Sequence, residues 1–352
     1  FKQKTAYEIG VRLVGSEMCI RDRHHSGDIN MKAVQITEFG GPEVMKYVDV
    51  ADPVPDDGEA VVEIQAAGVN FTDVYSRQGI NPGPPLPRII GVEGAGVVKA
   101  IGTGVTEVKV GDEVTYCTAP GAYAELAVVP AWRLIKRPSG VDAKAGAAAI
   151  LQGMTAHYLC YSTYPVQKGD RVIVHAGAGG MGLLLTQMIK KLGGYVFSTV
   201  STDAKAELSK SAGADHVILY TKEDFAEIVK KATNGEGVKA VYDGVGKSTF
   251  NQSIDSLGRR GHMVLYGAAS GAPDPISPGI LSAGSLSMTR PGLGDYTVNR
   301  AELEQRAEDV LGWISSGDLK LRISGEFALS DASEAHRQLE SRSTTGKLLL
   351  IP

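Results

Sequence analysis

Residues Arg171–Leu192 read RVIVHAGAGGMGLLLTQMIKKL, which is a short apolar run, a glycine-rich turn and an amphipathic helix. Gly177, Gly179 and Gly182 fit the pattern G-x-G-x-x-G between a strand and a helix, a context typical of dinucleotide binding. The first glycine permits a tight turn, the second a close approach of backbone to pyrophosphate, and the third close packing of helix on strand. The helix N-terminus then presents free N–H groups to the phosphates. This stretch predicts a parallel-sheet unit that binds a dinucleotide.

The next apolar run, Tyr195–Val200, follows at βαβ spacing and bears on which dinucleotide is expected. A strand that binds NAD usually ends in Asp or Glu, whose carboxylate accepts the ribose hydroxyls. Here the chain continues with STDAK over residues 201–205. Ser201 and Lys205 suit a 2′-phosphate through hydrogen bonds and charge, whereas a carboxylate would repel it. The pattern favours NADPH over NADH, with Asp203 either capping the next helix or opposing this preference.

The composition is that of a globular protein of ordinary polarity. The 352 residues are enough for two domains, and 43% are hydrophobic and 22% charged. The formal net charge of −4 disfavours a nucleic-acid partner on electrostatic grounds. No apolar run approaches the roughly 20 residues of a membrane-spanning helix. Cys19, Cys117 and Cys160 lack C-x-x-C spacing, which favours a reducing compartment and a cytoplasmic location.

The pattern changes along the chain and predicts two domains. Residues 1–30 lack the features of a secretory signal or transit peptide and resemble translated adapter sequence, so we treat them as a non-native leader. Residues 31–150 contain short strands separated by Gly and Pro turns. Residues 151–294 alternate helical patterns with apolar runs, as a helix-covered parallel sheet does. The last strand, Lys347–Ile351, is expected to return to the first domain.

Six further motifs give the chain a family resemblance. They are AGVNFTDVY at 67–75, GVEGAG at 91–96, GAYAE at 121–125, LQGMTAHY at 151–158, VYDGVG at 241–246 and TRP at 289–291. In this order they resemble the quinone oxidoreductase branch of the medium-chain dehydrogenase/reductase superfamily, the zeta-crystallin relatives, over about residues 31–352. The resemblance implies an α/β fold with a GroES-like β-rich catalytic domain of residues 31–150, completed by about 295–352. It also implies a doubly wound Rossmann domain of residues 151–294 that binds NADPH, a cleft between the domains, and a homodimer.

Two positions distinguish the chain from the zinc-dependent alcohol dehydrogenases of the same superfamily. Those relatives have a cysteine where this chain has Asn70, a histidine where it has Val92, and a structural lobe with four cysteines. Catalytic zinc needs three protein ligands with N, S or carboxylate donors. Because only Cys117 and Cys160 remain beyond the leader, we expect neither zinc site to form.

The resemblance also implies which residues carry the reaction. Asn70 and Tyr75 are expected as catalytic hydrogen-bond donors near the nicotinamide, and Tyr123 stays open between that role and packing. The implied cofactor-binding residues are Phe71; Gln152 and Thr155 at the nicotinamide ribose and phosphates; Gly179, Gly180 and Met181 at the pyrophosphate; Ser201, Lys205 and Tyr220 at the 2′-phosphate; Val245, Tyr266, Gly267 and Ala268 after later strands; Ser287, Met288 and Thr289 at the carboxamide through backbone; and Arg342.

These expectations make zinc-independent reduction of quinones by NADPH the leading function, with the protein positioning the nicotinamide in dry surroundings. A first alternative is an enone, 2-alkenal or enoyl-thioester reductase, because hydride addition to a conjugated double bond needs the same cofactor geometry. A second is a crystallin-like protein that binds the cofactor or RNA without turnover, although the acidic net charge disfavours RNA. The sequence leaves open which acceptor is reduced and whether one or two electrons are transferred.

Overall fold

The computed structural model describes residues 30–81 and 83–352, so residues 1–29 of the predicted leader lie outside the described residues. None of the helices within these ranges combines the length and apolarity that a bilayer crossing requires. The strands are β1 (Asn30–Ile36), β2 (Lys46–Ala51), β3 (Glu59–Val69), β4 (Arg88–Ile89), β5 (Glu93–Ile101), β6 (Glu113–Cys117), β7 (Leu126–Pro130), β8 (Ile135–Lys136), β9 (Arg171–Val174), β10 (Tyr195–Val200), β11 (His216–Leu219), β12 (Val238–Asp243), β13 (Leu257–Leu265), β14 (Ser287–Thr289), β15 (Ile323–Ala328) and β16 (Lys347–Ile351). The helices are α1 (Phe71–Arg77), α2 (Ala143–Tyr158), α3 (Gly180–Lys191), α4 (Asp203–Ser211), α5 (Phe225–Ala232), α6 (Phe250–Asp255), α7 (Arg300–Ser316) and α8 (Ala332–Glu340).

A six-stranded parallel sheet forms one half of the molecule, with strand order β11-β10-β9-β12-β13-β14. Its central strand β9 is apolar throughout Val172–Val174 because helices cover both of its faces, and these residues are fully buried. The strand order reverses between β9 and β12. Ligands of such sheets bind at the carboxyl ends of the strands beside this reversal. The predicted Rossmann-type sheet is confirmed.

Antiparallel strands form the other half. A larger sheet has the order β15-β16-β3-β5-β6-β8, with β7 also paired to β3, and β2-β1-β4 form a separate three-stranded sheet. The alternation of buried and exposed residues along these strands is that of sheets with one face on a core. This antiparallel half is the part of the chain in which the family resemblance implied a GroES-like β-rich domain.

Two segments connect the halves. Strand β16 lies antiparallel to β3, with Leu348 opposite Val69, so the chain end returns to the antiparallel half as predicted. Helix α2 contacts β3, β5 and β6 on one side and α3 and α7 on the other. The predicted domain boundary at residues 150 and 151 therefore falls inside one continuous helix.

Candidate active site

The candidate site is a cleft at the carboxyl ends of the parallel strands. It contains two cavities, which we call cavity I (about 480 Å³) and cavity II (about 530 Å³). Cavity I lies beside the ends of β9 and β10, and cavity II lies between α1, α2 and the segment after β14. Phe71, the first residue of α1, lines both cavities, so the two are adjacent, and we call them together the cleft.

The glycine-rich turn separates the two cavities, and its glycines have different surroundings. A Cβ on Gly177 would come within 1.7 Å of the Ser198 hydroxyl, and one on Gly182 within 2.4 Å of the Ala176 carbonyl oxygen. A Cβ on Gly179 would approach no atom more closely than 3.2 Å, and Gly179 lines cavity I. Gly177 and Gly182 are thus required by close packing, whereas the backbone at Gly179 is open to a ligand at the N-terminus of α3.

Cavity I ends in cationic and hydroxyl groups. Ser201, Lys205 and Tyr220 were predicted for a 2′-phosphate, and Arg342 was predicted as a cofactor contact without a stated partner. Ser201, Lys205, Tyr220 and Arg342 all line it. The Lys205 ammonium donates a 2.8 Å hydrogen bond to the Arg342 carbonyl oxygen, and partial burial lowers the pKa of Lys205. The Arg342 guanidinium donates to the Ala269 carbonyl oxygen at 3.1 Å. Neither cation is paired with a carboxylate among the described residues, so both charges are available to an anion.

Asp203, which the sequence left ambiguous, lies outside this cavity. Thr202 is the N-cap of α4, and its hydroxyl accepts from the Lys205 backbone N–H. The Asp203 carboxylate is 3.5 Å from the Lys222 ammonium and largely exposed. The structure therefore removes the carboxylate that would have opposed a 2′-phosphate.

Cavity II contains polar groups of α2 and the first turn of α3. Gln152, Thr155 and Met181 line it. The Gln152 side-chain oxygen is buried and has no hydrogen-bond partner among the described residues, and it lies against Gly180, where a Cβ would come within 2.2 Å of it. A buried amide oxygen without a partner is unfavourable by about 1–3 kcal/mol, which a bound ligand would offset.

The Tyr75 hydroxyl faces the other side of cavity II. It accepts the Ala268 backbone N–H at 3.3 Å, and no described residue accepts its own proton. Burial raises the pKa of Tyr75 above its ordinary value, so the hydroxyl stays protonated at neutral pH. Tyr266 and Gly267 lie beside it in the cavity wall. Tyr75 is therefore a neutral donor in the wall of cavity II whose proton has no acceptor among the described residues.

Asn70 also lines cavity II, but its amide is fully used. Its Nδ2 donates to Glu93 Oε2 at 2.7 Å and to the Gly68 carbonyl oxygen at 3.3 Å, and its Oδ1 accepts from Lys347 Nζ at 2.6 Å. The predicted donation from Asn70 to a substrate has no free proton in this arrangement. We call Asn70, Asp73, Glu93 and Lys347 the floor cluster, since they lie buried beneath cavity II.

A second buried network extends from the floor cluster away from the cleft. The Tyr123 hydroxyl is 3.1 Å from Asp73 Oδ2 and 3.1 Å from His336 Nε2, and Arg77 contacts His336 Nδ1 at 2.9 Å. Burial raises the pKa of Asp73 to about 7 and lowers the pKa of His336 to about 3. Tyr123 is fully buried and lines neither cavity. Of its two open roles, packing is the one its position favours.

The cleft brings together most of the residues predicted for the cofactor. Cavity I is lined by Phe71, Gly179, Ser201, Lys205, Tyr220, Val245 and Arg342, and cavity II by Asn70, Phe71, Tyr75, Gln152, Thr155, Met181, Tyr266 and Gly267. Gly180 and Ala268 contact Gln152 and Tyr75 from the rim.

Three predicted residues do not reach either cavity. Ser287, Met288 and Thr289 form the edge strand β14 and pair with His262, Met263 and Val264 of β13. Because the cavity lies beyond the carboxyl end of this strand, residues 290–294 line it instead. Their predicted contact with the carboxamide is thus not supported by their position in the structure.

Sequence reasoning missed three charged residues of the site. Arg290 lines cavity II, and its guanidinium donates to the Leu265 carbonyl oxygen at 3.2 Å. Arg290 belongs to the motif TRP at 289–291 and directly follows strand β14, so its position in the sequence could have predicted a cation at the cleft. Glu93 stands in the motif at 91–96, whereas Lys347 carries no local signal, because only the fold brings it to Glu93.

Comparison with known proteins accounts for this architecture. Residues 56–139 match the family described as alcohol dehydrogenase GroES-like domain, and residues 180–312 match the family described as zinc-binding dehydrogenase. A quinone oxidoreductase of Pseudomonas aeruginosa is 42% identical over 323 residues, which is 91% of this chain and 99% of that protein. The chain belongs to the quinone oxidoreductase family. The predicted family is confirmed.

Two further relatives match over similar shares of the chain. The crystal structure of Escherichia coli quinone oxidoreductase complexed with NADPH has a TM-score of 0.89 at 40% identity, covering 91% of this chain and 100% of that chain. A 2-haloacrylate reductase of Burkholderia is 40% identical over 91% of this chain and 98% of its own length.

The second family description mentions zinc, but the residues of this chain do not supply the ligands that a zinc site needs. Residues 30–81 and 83–352 contain no group of three or more His, Cys, Asp or Glu side chains placed to hold a metal ion. At the position that the family resemblance assigns to a zinc ligand, Asn70 is hydrogen-bonded to the buried Lys347 ammonium. An ammonium on one side chain and an amide on the other are not a zinc donor set.

Proposed function

We propose that this protein is an NADPH-dependent quinone oxidoreductase that works without zinc. The observation that carries the proposal is the single cleft, which has an unpaired cationic end at Lys205 and Arg342 and an uncommitted hydroxyl, Tyr75, at the other. Its family membership supports the same activity, and an NADPH complex is known for the Escherichia coli relative.

NADPH fits the residues of the cleft along its whole length. Ser201, Lys205 and Arg342 would hold the 2′-phosphate through hydrogen bonds and charge. The open backbone at Gly179 and the N-terminus of α3 would hold the pyrophosphate. The unpartnered Gln152 oxygen would accept a hydrogen bond from the nicotinamide half. When bound, NADPH supplies the hydride that reduces the acceptor.

The chain's own contribution to the reaction is positioning and electrostatic stabilisation in cavity II. Tyr75 would donate a hydrogen bond to the acceptor oxygen, where negative charge develops. Arg290 would add a positive charge on the same side of the cavity. The second proton of a hydroquinone comes from solvent, so the sum is quinone, NADPH and a proton to hydroquinone and NADP⁺. Asn70 holds the start of α1 instead of donating to the substrate.

A second candidate is reduction of a conjugated double bond. The similarity to a 2-haloacrylate reductase favours it, because a haloacrylate is a conjugated carboxylate. Arg290 would pair with that carboxylate in cavity II. Both candidates use the same hydride geometry and differ only in the acceptor.

An acceptor panel tests the proposal. The purified protein is assayed with NADPH, and in parallel with NADH, against a benzoquinone, a naphthoquinone, a 2-alkenal and 2-chloroacrylate. We expect quinone reduction at the highest kcat/KM, with NADPH preferred at least about tenfold over NADH, as one charge-assisted contact supplies. Fastest turnover of chloroacrylate or the alkenal would favour the second candidate, and binding of NADPH without any turnover would contradict both.

Several further properties are part of this proposal. We propose that the GroES-like domain comprises residues 31–150 and about 295–352, and the Rossmann domain residues 151–294, with α2 shared between them. A homodimer and a cytoplasmic location follow from the family resemblance and from the cysteine usage. Elemental analysis of the purified protein tests the expected lack of zinc, since a stoichiometric metal would contradict it.

A further inference from the structure

A buried cation lies beneath the reacting end of the cleft. Lys347, the first residue of β16, is 3% exposed. Its ammonium is 2.5 Å from Glu93 Oε2 and 2.6 Å from Asn70 Oδ1. Glu93 is fully buried as well. Burying two such charges is unfavourable unless their geometry and remaining hydrogen bonds are close to complete, so this pair demands a defined arrangement of its neighbours.

The hydrogen bonds of the cluster join four elements. Glu93 begins β5, and its Oε1 accepts the Leu151 backbone N–H of α2 at 2.7 Å. Its Oε2 accepts from Asn70, the residue immediately before α1. Lys347 adds β16 by bonding to both partners. Because Leu151 and Asn70 line cavity II, the cluster fixes two of its walls relative to each other.

The residue before Lys347 reaches the other half of the cleft. Gly346 forms an isolated parallel bridge with Gly179 of the glycine-rich turn. Its φ of 88° lies in the left-handed region, and a Cβ there would come within 2.3 Å of the Arg322 carbonyl oxygen, so glycine is required. Gly346 thus contacts the turn that is proposed to hold the pyrophosphate. The next residue, Lys347, contacts Asn70 and Glu93 beneath the proposed nicotinamide end.

We propose that Lys347 is a positioning residue for hydride transfer. By locking Asn70 against Glu93, it holds Phe71 and Tyr75 of α1 at a fixed distance from the glycine-rich turn, to which Gly346 is paired. A displacement of about 1 Å between reacting groups lowers the rate about 100-fold, which makes this distance critical. The inference rests on the proposed function, because it concerns the hydride step of that reaction.

Two variants separate positioning from simple charge pairing. Lys347→Met leaves the Glu93 carboxylate buried without a counter-charge, so it also destabilises the fold. The double variant Lys347→Met/Glu93→Gln removes both charges, while the oxygen of the introduced amide can still accept the Leu151 backbone N–H. We expect the double variant to melt above Lys347→Met, because no lone charge remains buried, and below wild type, because the introduced amide NH2 faces the Asn70 Nδ2 donor. The ammonium that joined Asn70 to β16 is missing, however, and we expect kcat to stay about 30- to 100-fold low.

Three readouts identify positioning. The KM for NADPH changes by less than about threefold, because cavity I is untouched. The primary deuterium isotope effect on kcat rises toward its intrinsic value, because the mispositioned hydride step becomes rate-limiting. In the absence of any acceptor, the fluorescence of protein-bound NADPH changes while its Kd does not. The matched control is Lys144→Met/Glu326→Gln, which removes an exposed ion pair between α2 and β15 and should change none of these.

A double variant with wild-type kcat and isotope effect would overturn the inference, because Lys347 would then serve only as the counter-charge of Glu93. Failure of both variants to fold would also overturn it, since Lys347 would then be required for folding. Lack of turnover by the wild type contradicts the proposed function instead. In that case the fluorescence measurement still tests whether Lys347 fixes the nicotinamide end.

Discussion

Cavity I and the floor cluster beneath cavity II hold their polar groups in opposite ways. In cavity I, the side-chain cations of Lys205 and Arg342 donate, among the described residues, only to backbone carbonyl oxygens, and Tyr220 is 51% exposed. In the floor cluster, Asn70, Glu93 and Lys347 are at most 4% exposed and bonded to one another. Cations that reach solvent suit recognition of a ligand's charge, whereas the buried Asn70, Glu93 and Lys347, bonded to one another, suit the fixing of geometry.

The largest expected effect concerns Asp73 of the floor cluster, whose ionisation is expected to lower the free energy of unfolding. Burial raises the pKa of Asp73 to about 7, and its Oδ1 has no partner among the described residues. An unfolded Asp has a pKa of about 3.9, so this side chain's contribution to stability is complete below about pH 4 and is lost as the pH rises to about 7. Asp73→Asn does not titrate. Between pH 4.5 and pH 8, urea unfolding should show the variant gaining about 3 kcal/mol relative to wild type.

The pKa shift of His336 changes stability with pH in the opposite direction, but it does not affect the difference between Asp73→Asn and wild type. Because its pKa is lowered to about 3, its contribution is lost as the pH falls below about 6.5, and this happens in both proteins. The control is Asp274→Asn, whose carboxylate is exposed and pairs with Lys247 at the surface. Parallel stability curves for Asp73→Asn and wild type would mean that Asp73 is ionised in the folded protein at neutral pH.

The second effect tests whether cavity I recognises charge. Lys205→Ala removes one ammonium from the proposed 2′-phosphate site, a charge-assisted contact of about 1.5 kcal/mol. The KM for NADPH should rise about tenfold, and the KM for NADH should stay unchanged. Lys222→Ala is the control, since Lys222 pairs with Asp203 outside the cavity. Equal losses with both cofactors would assign Lys205 to the fold through its bond to Arg342.

The same contrast explains what the sequence could predict. Gly177–Gly182, Ser201 and Lys205 lie within 30 residues of one another, and the βαβ unit places them by local rules, so cavity I follows from a pattern. The strands β10 and β16 likewise match the predicted bounds Tyr195–Val200 and Lys347–Ile351, because each is a strongly apolar segment.

The floor cluster depends on contacts that no local pattern encodes. Lys347 and Glu93 are 254 residues apart, and they meet because β16 and β5 both flank β3. Asn70 lines cavity II, but its hydrogen bonds to Glu93 and Lys347 depend on that pairing. The edge strand β14 is a second case: Ser287–Thr289 were predicted at the cofactor, and the structure places residues 290–294, beyond the strand end, in the wall of cavity II.

A third experiment asks whether cavity II also recognises charge. Arg290 is exposed, and within residues 30–81 and 83–352 its guanidinium donates only to the Leu265 carbonyl oxygen, so it resembles the cations of cavity I more than the floor cluster. Arg290→Leu should lower kcat/KM for a quinone about fivefold, as loss of about 1 kcal/mol predicts, and lower it more for 2-chloroacrylate. Arg259→Leu, an exposed arginine in β13 that lines neither cavity, is the control. Unchanged rates with every acceptor would leave Tyr75 as the remaining polar group proposed to contact the acceptor.

The smallest expected effect concerns Tyr75. Replacing it with Phe distinguishes a hydrogen-bond donor that stabilises the acceptor from an essential acid in cavity II. Its hydroxyl accepts from Ala268 and its proton is uncommitted, so Tyr75→Phe removes one neutral hydrogen bond and leaves the ring in place. A neutral hydrogen bond contributes about 0.5–1.5 kcal/mol, and kcat should fall about threefold, with no change in KM for NADPH. Tyr195→Phe, on the surface of β10, is the control. Since burial raises the pKa of Tyr75, its ionisation should produce no fall in rate up to about pH 9. A loss of about 1000-fold or more would make Tyr75 an essential acid, and cavity II would then be a site of proton transfer as well as of positioning.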